Sequence, residues 1–106
     1  MGDCIFCKIV KGEIATEKEL ETARFVVFKD LNPQAPLHLL IVSRKHLEDI
    51  RGDDENLWTD IGGIAKDISI RLGLKSFRLV HNAGDAATVK HMHMHLLGGE
   101  AADRKL

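Results

Sequence analysis

The chain has 106 residues, 44% apolar and 5% aromatic with no tyrosine, and its 15 basic and 16 acidic residues leave a net charge of -1. That length fits one domain, residues 1–106, with a core that needs no disulfide staples. The mixed charge has no basic stripe or acidic tail, which argues against a nucleic-acid partner, and no apolar run approaches the ~20 residues of a membrane span. With no signal-peptide core near the N-terminus either, the expectation is a cytoplasmic protein acting on small molecules.

Taken in chain order, the first feature is Cys4-Ile5-Phe6-Cys7, which holds both cysteines. In a reducing compartment this spacing reads as a metal half-site or a redox pair, or simply as two small buried residues. Ile5, Phe6, Ile9 and Val10 recur at helical spacing, with Gly12 as the stop. Residues 17–21 are charged and fit a short edge strand or a solvated helix end. Residues 24–28 (RFVVF) predict a strand that ends at a loop carrying Asp30, Leu31, Asn32, Pro33 and Pro36. Residues 37–43 (LHLLIVS) predict a central strand, apolar apart from His38.

A short helical turn is expected over 46–51, followed by one long helix capped by Asp53 or Asp54 and running to Leu72. Leu57, Ile61, Ile64, Ile68 and Leu72 form its buried stripe, and Gly73 ends it. Gly62-Gly63 inside this helix costs about 1 kcal/mol per residue relative to alanine. Close packing against a second subunit would offset that cost; otherwise the pair is an unrewarded flaw. Residues 76–81 (SFRLVH) predict a third strong strand, with His81 as a polar strand end, and residues 82–87 a loop. The pattern predicts an α+β fold, an antiparallel sheet with its helices on one face.

Residues 89–97 predict the last strand, which contains His91-Met92-His93-Met94-His95-Leu96-Leu97. In a strand this alternation sets three imidazoles on one face, roughly 6.6 Å apart, and apolar residues on the other. A row of groups titrating near neutral pH points to proton transfer, nucleophilic attack or metal binding, and a merely polar strand face is the bland alternative. Two histidines at i and i+2 can share one metal ion. Alternatively His93 is a nucleophile, with its second ring nitrogen held by an acceptor.

The segment His91 to Leu97 reads His-φ-His-φ-His-φ-φ, where φ is apolar, and resembles the signature of the histidine triad (HIT) superfamily of nucleotide hydrolases and transferases. The segments CIFCKIV from Cys4, FKDLNPQAPLH from Phe28 and VSRKH from Val42 resemble its histidine-triad nucleotide-binding branch. The resemblance implies a five-stranded antiparallel sheet with one long and one short helix, continued across a homodimer. It further implies a site for a purine nucleoside monophosphate.

By the same resemblance His93 is the nucleophile that attacks the α-phosphorus, and His95 bonds the phosphate oxygens. His38 and the backbone near His91 orient His93, while Asp30 holds the ribose hydroxyls unless it merely caps the turn before Pro33. Ile5, Phe6, Ile9, Phe28, Leu31 and Val89 match the apolar walls around the base. Asn82 and Thr88 match polar contacts to the phosphate and leaving group. Cys4, Cys7, His46 and His91 match a structural Cys2His2 zinc set, whose four ligands leave no open position.

The implied reaction is hydrolysis of purine nucleoside 5′-phosphoramidates through a nucleotidyl-histidine intermediate. Dinucleoside polyphosphate hydrolysis and non-catalytic binding of nucleotide or zinc are the rival expectations. Three features depart from the pattern: Ala86-Ala87 precedes Thr88 where many members carry Gly-Gln, the loop from Asn82 to His91 is short for the branch, and residues 100–106 hold no tryptophan where some members carry one.

Overall fold

A computed structural model describes residues 4–101 of the chain. The elements run α1 (Ile5–Val10), β1 (Lys18–Glu21), β2 (Phe25–Lys29), β3 (Leu37–Ser43), α2 (Leu57–Arg71), β4 (Phe77–Val80) and β5 (His93–Gly98), with one-turn 3-10 helices at Ile50–Gly52 and Gly84–Ala86. The strands form one sheet in the order β1-β2-β3-β5-β4, and every neighbouring pair is antiparallel. This is the α+β architecture that the sequence predicts.

The helices, however, lie on opposite faces. Alternation along β3 sends Leu39 and Ile41 to one face, where they join Phe25, Val27, Met92, Met94 and Leu96 beneath the α2 residues Leu57, Ile61, Ile64, Ala65 and Ile68. Leu40 and Val42 face the other way and pack with Phe28 against Phe6 and Ile9 of α1. β3 is therefore apolar at nearly every position because both its faces are covered. α1 is short and roofs the smaller cluster, so the nucleotide-site candidates near it lie across the sheet from α2.

Several boundaries differ from the sequence expectation, each for a local reason. The helical turn expected over 46–51 shrinks to the 3-10 turn Ile50–Gly52, capped by Asp49, whose carboxylate accepts the Arg51 N–H at 2.9 Å. Asp53 does accept the Leu57 N–H at 2.7 Å, but α2 starts only at Leu57, because Asn56 sits in the left-handed region at φ 56°. The histidine strand is the largest revision. β5 begins at His93, not near Val89, because the Met92 N–H turns to the Leu47 carbonyl at 2.6 Å and the Lys90 ammonium gathers the Gly84 and Ala87 carbonyls at 2.6 and 2.9 Å. His91 thus precedes the strand instead of belonging to it.

Candidate active site and metal-ligand cluster

Hydrogen-bond partners fix the tautomers of His93, His38 and His95 in turn. The nitrogen Nδ1 of His93 lies 2.6 Å from the carbonyl of His91. A carbonyl only accepts, so Nδ1 carries the proton and Nε2 keeps its lone pair. The Gln34 N–H donates to His38 Nδ1 at 3.0 Å, which places the His38 proton on Nε2. That proton is donated to His95 Nδ1 at 2.9 Å, leaving His95 with an Nε2–H donor. His93 and His95 lie side by side, ring centroids 5.0 Å apart, and Phe6 stands edge-to-face on His93, also at 5.0 Å. The strand therefore offers a bare nitrogen next to an N–H donor.

His38 meets His95, which revises the expectation that it orients His93. The His91 carbonyl does that work, while His38 sets the tautomer of His95. Asp30 Oδ1 accepts the Asn32 N–H at 2.8 Å and so caps the loop, and Oδ2 lies 3.5 Å from His38 Nε2. Each oxygen retains a lone pair for a ligand hydroxyl.

Asp30, His38 and His95 lie close enough to hold a metal ion. The Gln34 N–H argues against it, since it occupies His38 Nδ1 and keeps a proton on the very nitrogen that would have to ligate. The trio reads as a hydrogen-bond chain.

Burial favours the neutral form of both His93 and His95. It lowers His93 below its ordinary 6.5, against the raising effect of the His91 carbonyl. Burial, with help from His93 and His38 nearby, takes His95 down to about 4. Both rings are thus neutral at physiological pH, as their hydrogen-bond roles require.

Four donors form a second cluster. The side chains of Cys4, Cys7, His46 and His91 bring their ligand atoms within 4.8 Å of one another. His91 Nδ1 lies 3.3 Å from Cys4 Sγ and 3.5 Å from Cys7 Sγ, and His46 Nδ1 lies 3.1 Å from Cys7 Sγ. Bond lengths of about 2.3 Å to sulfur and 2.05 Å to nitrogen give a tetrahedral S···N edge of about 3.6 Å, near the spacing seen. The His91 Nε2–H donates to the Ser43 carbonyl at 2.6 Å, which turns the Nδ1 lone pair toward the sulfurs. Such an outer hydrogen bond is what a ligating histidine needs. The set fits a metal ion with four protein ligands.

The remaining candidates divide. Phe6, Ile9 and Phe28 are buried in one apolar cluster, and Val89 packs against it. Ile5 is 47% exposed on α1, and Leu31 is 94% exposed on its loop. Asn82 lies half-buried beyond β4, and Thr88 is exposed on the irregular segment before β5. The contacts joining His38, His93 and His95 do not take in Leu31, Asn82 or Thr88. Sequence reasoning missed Gln34, Ser43 and Leu47, which act through backbone atoms and so leave no mark in residue type. It also left His81 without a role.

The comparisons with known proteins agree with this geometry. A family model described as "Scavenger mRNA decapping enzyme C-term binding" matches residues 3–105. An uncharacterized HIT-like protein of Chlamydia trachomatis is 42% identical over 101 residues, covering 90% of this chain and 91% of its own. A solved structure of a HIT family hydrolase from Clostridium thermocellum superposes with a TM-score of 0.91 at 36% identity, over 100% of this chain and 98% of that one. The histidine triad nucleotide-binding protein of Candida albicans gives a TM-score of 0.82 at 30% identity, over 98% and 84%. With its triad, its sheet order and these relatives, the chain belongs to the histidine triad superfamily.

Proposed function

We propose that this chain is a nucleotide hydrolase that cleaves purine nucleoside 5′-phosphoramidates, such as adenylated amines, to the nucleoside monophosphate and the free amine. The observation that carries the reading is the pair of adjacent nitrogens of opposite character, the His93 Nε2 lone pair and the His95 Nε2–H. His93 attacks the α-phosphorus and the P–N bond to the amine breaks, the amine taking up a proton as it leaves. Water then attacks the nucleotidyl-imidazole and restores His93. His95 donates to a phosphate oxygen whose negative charge grows in the transition state. Asp30 takes the ribose hydroxyls, and Phe6, Ile9, Phe28 and Val89 supply the apolar surface near the base. Relatives named as a HIT family hydrolase and as a histidine triad nucleotide-binding protein support the same class.

Turnover of adenosine phosphoramidate, measured beside a diadenosine polyphosphate, tests the reading. The phosphoramidate is expected to react faster. The reverse order would assign the polyphosphate class, and tight binding of adenosine monophosphate without any turnover would leave a binding protein.

The pH dependence has a definite sign. His93 attacks only when neutral, and its folded value lies below 6.5, so the acid limb of kcat/KM should fall with a midpoint below pH 6.5. A midpoint above that value contradicts the nucleophile assignment. Stability should fall over the same range. Below about pH 6.5 the unfolded His95 takes up a proton that the folded ring refuses until about pH 4.

The Cys4, Cys7, His46 and His91 set is proposed to hold zinc, which would tie α1 to the segments before and after α2 and leave no position for substrate. A homodimer is proposed through β4. This edge strand exposes Phe77, Leu79 and Val80, and an added Cβ at Gly62 or Gly63 of α2 would meet nothing within 4 Å in the protomer. Sedimentation at twice the chain mass of 11.8 kDa is expected, and a monomer at micromolar concentration would overturn the assignment.

A further inference from the structure

Of the six histidines, His81 is used by neither the His38–His95–His93 group nor the Cys/His cluster, yet both its ring nitrogens are engaged. Nε2 accepts the Ile50 N–H at 3.1 Å, so Nδ1 carries the proton and donates it to the carbonyl of His93 at 2.8 Å. The imidazole is a strut between the turn that follows β3 and the peptide unit of the nucleophile candidate.

The register explains why a strut is needed. The β4–β5 pairing runs from Phe77↔Gly98 to Val80↔His95. Two residues further, the ladder would offer the His93 carbonyl the N–H of Asn82. β4 has already ended at Val80, so the rung is missing from the backbone. His93 is also the first residue of β5, with an irregular segment before it. Without a substitute donor, its peptide plane would sit at a fraying strand end.

The turn carrying Ile50 is itself fixed. The Asp49 carboxylate is buried and accepts the Arg51 N–H, two guanidinium hydrogen bonds at 3.0 and 2.7 Å, and the Gly84 N–H at 3.1 Å. These bonds hold the Asp49 carboxyl far below the usual range, so it stays ionised. The Trp58 ring stands edge-to-face on His81 with centroids 6.0 Å apart.

We propose that His81 is a positioning residue for the His93 nucleophile, supplying from its side chain the hydrogen bond that the end of β4 fails to give. Its effect passes through the backbone. The His93 peptide plane sets where the ring starts, the His91 carbonyl sets how it turns, and the pair aims Nε2. A misplacement of about 1 Å in such a group costs about 100-fold in rate.

This role rests on the reading of His93 as nucleophile, and an isosteric pair of variants tests it. His81→Asn places an amide N–H near the position of Nδ1–H, whereas His81→Asp places a carboxylate oxygen against the His93 carbonyl. On adenosine phosphoramidate, His81→Asp is expected to lose about tenfold or more in kcat, with KM and adenosine monophosphate affinity within twofold of wild type. His81→Asn should recover most of that loss. A strut that serves stability alone would lower the melting temperature of both variants and leave both kcat values at wild type, which overturns the proposal. Wild-type protein that turns over nothing overturns the nucleophile reading and this role with it. Turnover by wild type with His81→Asp equally fast overturns this role alone.

Discussion

Replacement of His93 by alanine is expected to lower nucleotide release by about 10⁴-fold or more, since losing the group that forms the covalent bond removes the pathway itself. No neighbour is built to replace it. His95 presents a proton, not a lone pair, on the nitrogen left free by His38, and His91 has its Nε2–H on the Ser43 carbonyl and its Nδ1 among the sulfurs. The contrast with His95→Ala is informative. That change removes one donor to the developing phosphate charge, for which a loss of about 10²–10³-fold is expected. Adenosine monophosphate should still bind His93→Ala, because Asp30 keeps its partners and Phe6, which loses its edge contact with the His93 ring, keeps its packing on Phe28. Single-turnover kinetics with a quench in alkaline denaturant, where a phosphorus–imidazole bond survives, and intact mass should show a nucleotidyl adduct on wild type and none on His93→Ala. Undiminished turnover by the alanine variant would sink the covalent mechanism.

The parts of this site that could be read from the sequence are those carried by side-chain type at fixed spacing. Alternation of His and Met predicts a polar face backed by apolar residues, and Met92, Met94 and Leu96 do pack under α2 while His93 faces α1. The Leu57 to Ile68 stripe likewise announces a helix with one buried face. What the pattern hides is decided by backbone groups and by tertiary layering. An apolar β3 is compatible with one covered face or two, and only the location of α1 settles that it is two. His91 leaves the strand because Leu47 offers its carbonyl to Met92, an acceptor that every residue type owns. The partner of His38 is ambiguous in the sequence for a related reason. Several imidazoles at two-residue spacing can pair in more than one way, and the Gln34 N–H is what directs the His38 proton to His95. Polar residues at strand ends are common on solvation grounds alone, so nothing in residue type marks His81 as a substitute rung.

Removal of zinc should strike the fold and the chemistry together. Zinc bound to the folded state at a free concentration 1,000 times its dissociation constant stabilises that state by about 4 kcal/mol. For a domain of this size, 1 kcal/mol moves the melting temperature by about 4–8 °C, so chelation should lower it by about 15 °C or more. The same loss is expected for His46→Ala, a change outside the histidine strand. The link to chemistry lies in one residue: the His91 side chain belongs to the proposed zinc set, and the His91 carbonyl at 2.6 Å holds the Nδ1–H of His93. An ion that fixes the ring therefore fixes the carbonyl, since both hang on a segment with no place in the sheet ladder. kcat should fall in the chelated protein at temperatures well below its melting point, and added zinc should restore it. Burial pushes the Cys7 thiol up, so ion binding must expel its proton and affinity should weaken as pH falls. Metal analysis near one zinc per chain, with the melting shift, supports the assignment. Protein purified without zinc, unmoved in melting temperature and in kcat by chelator or added zinc, would reduce the four residues to a buried polar cluster.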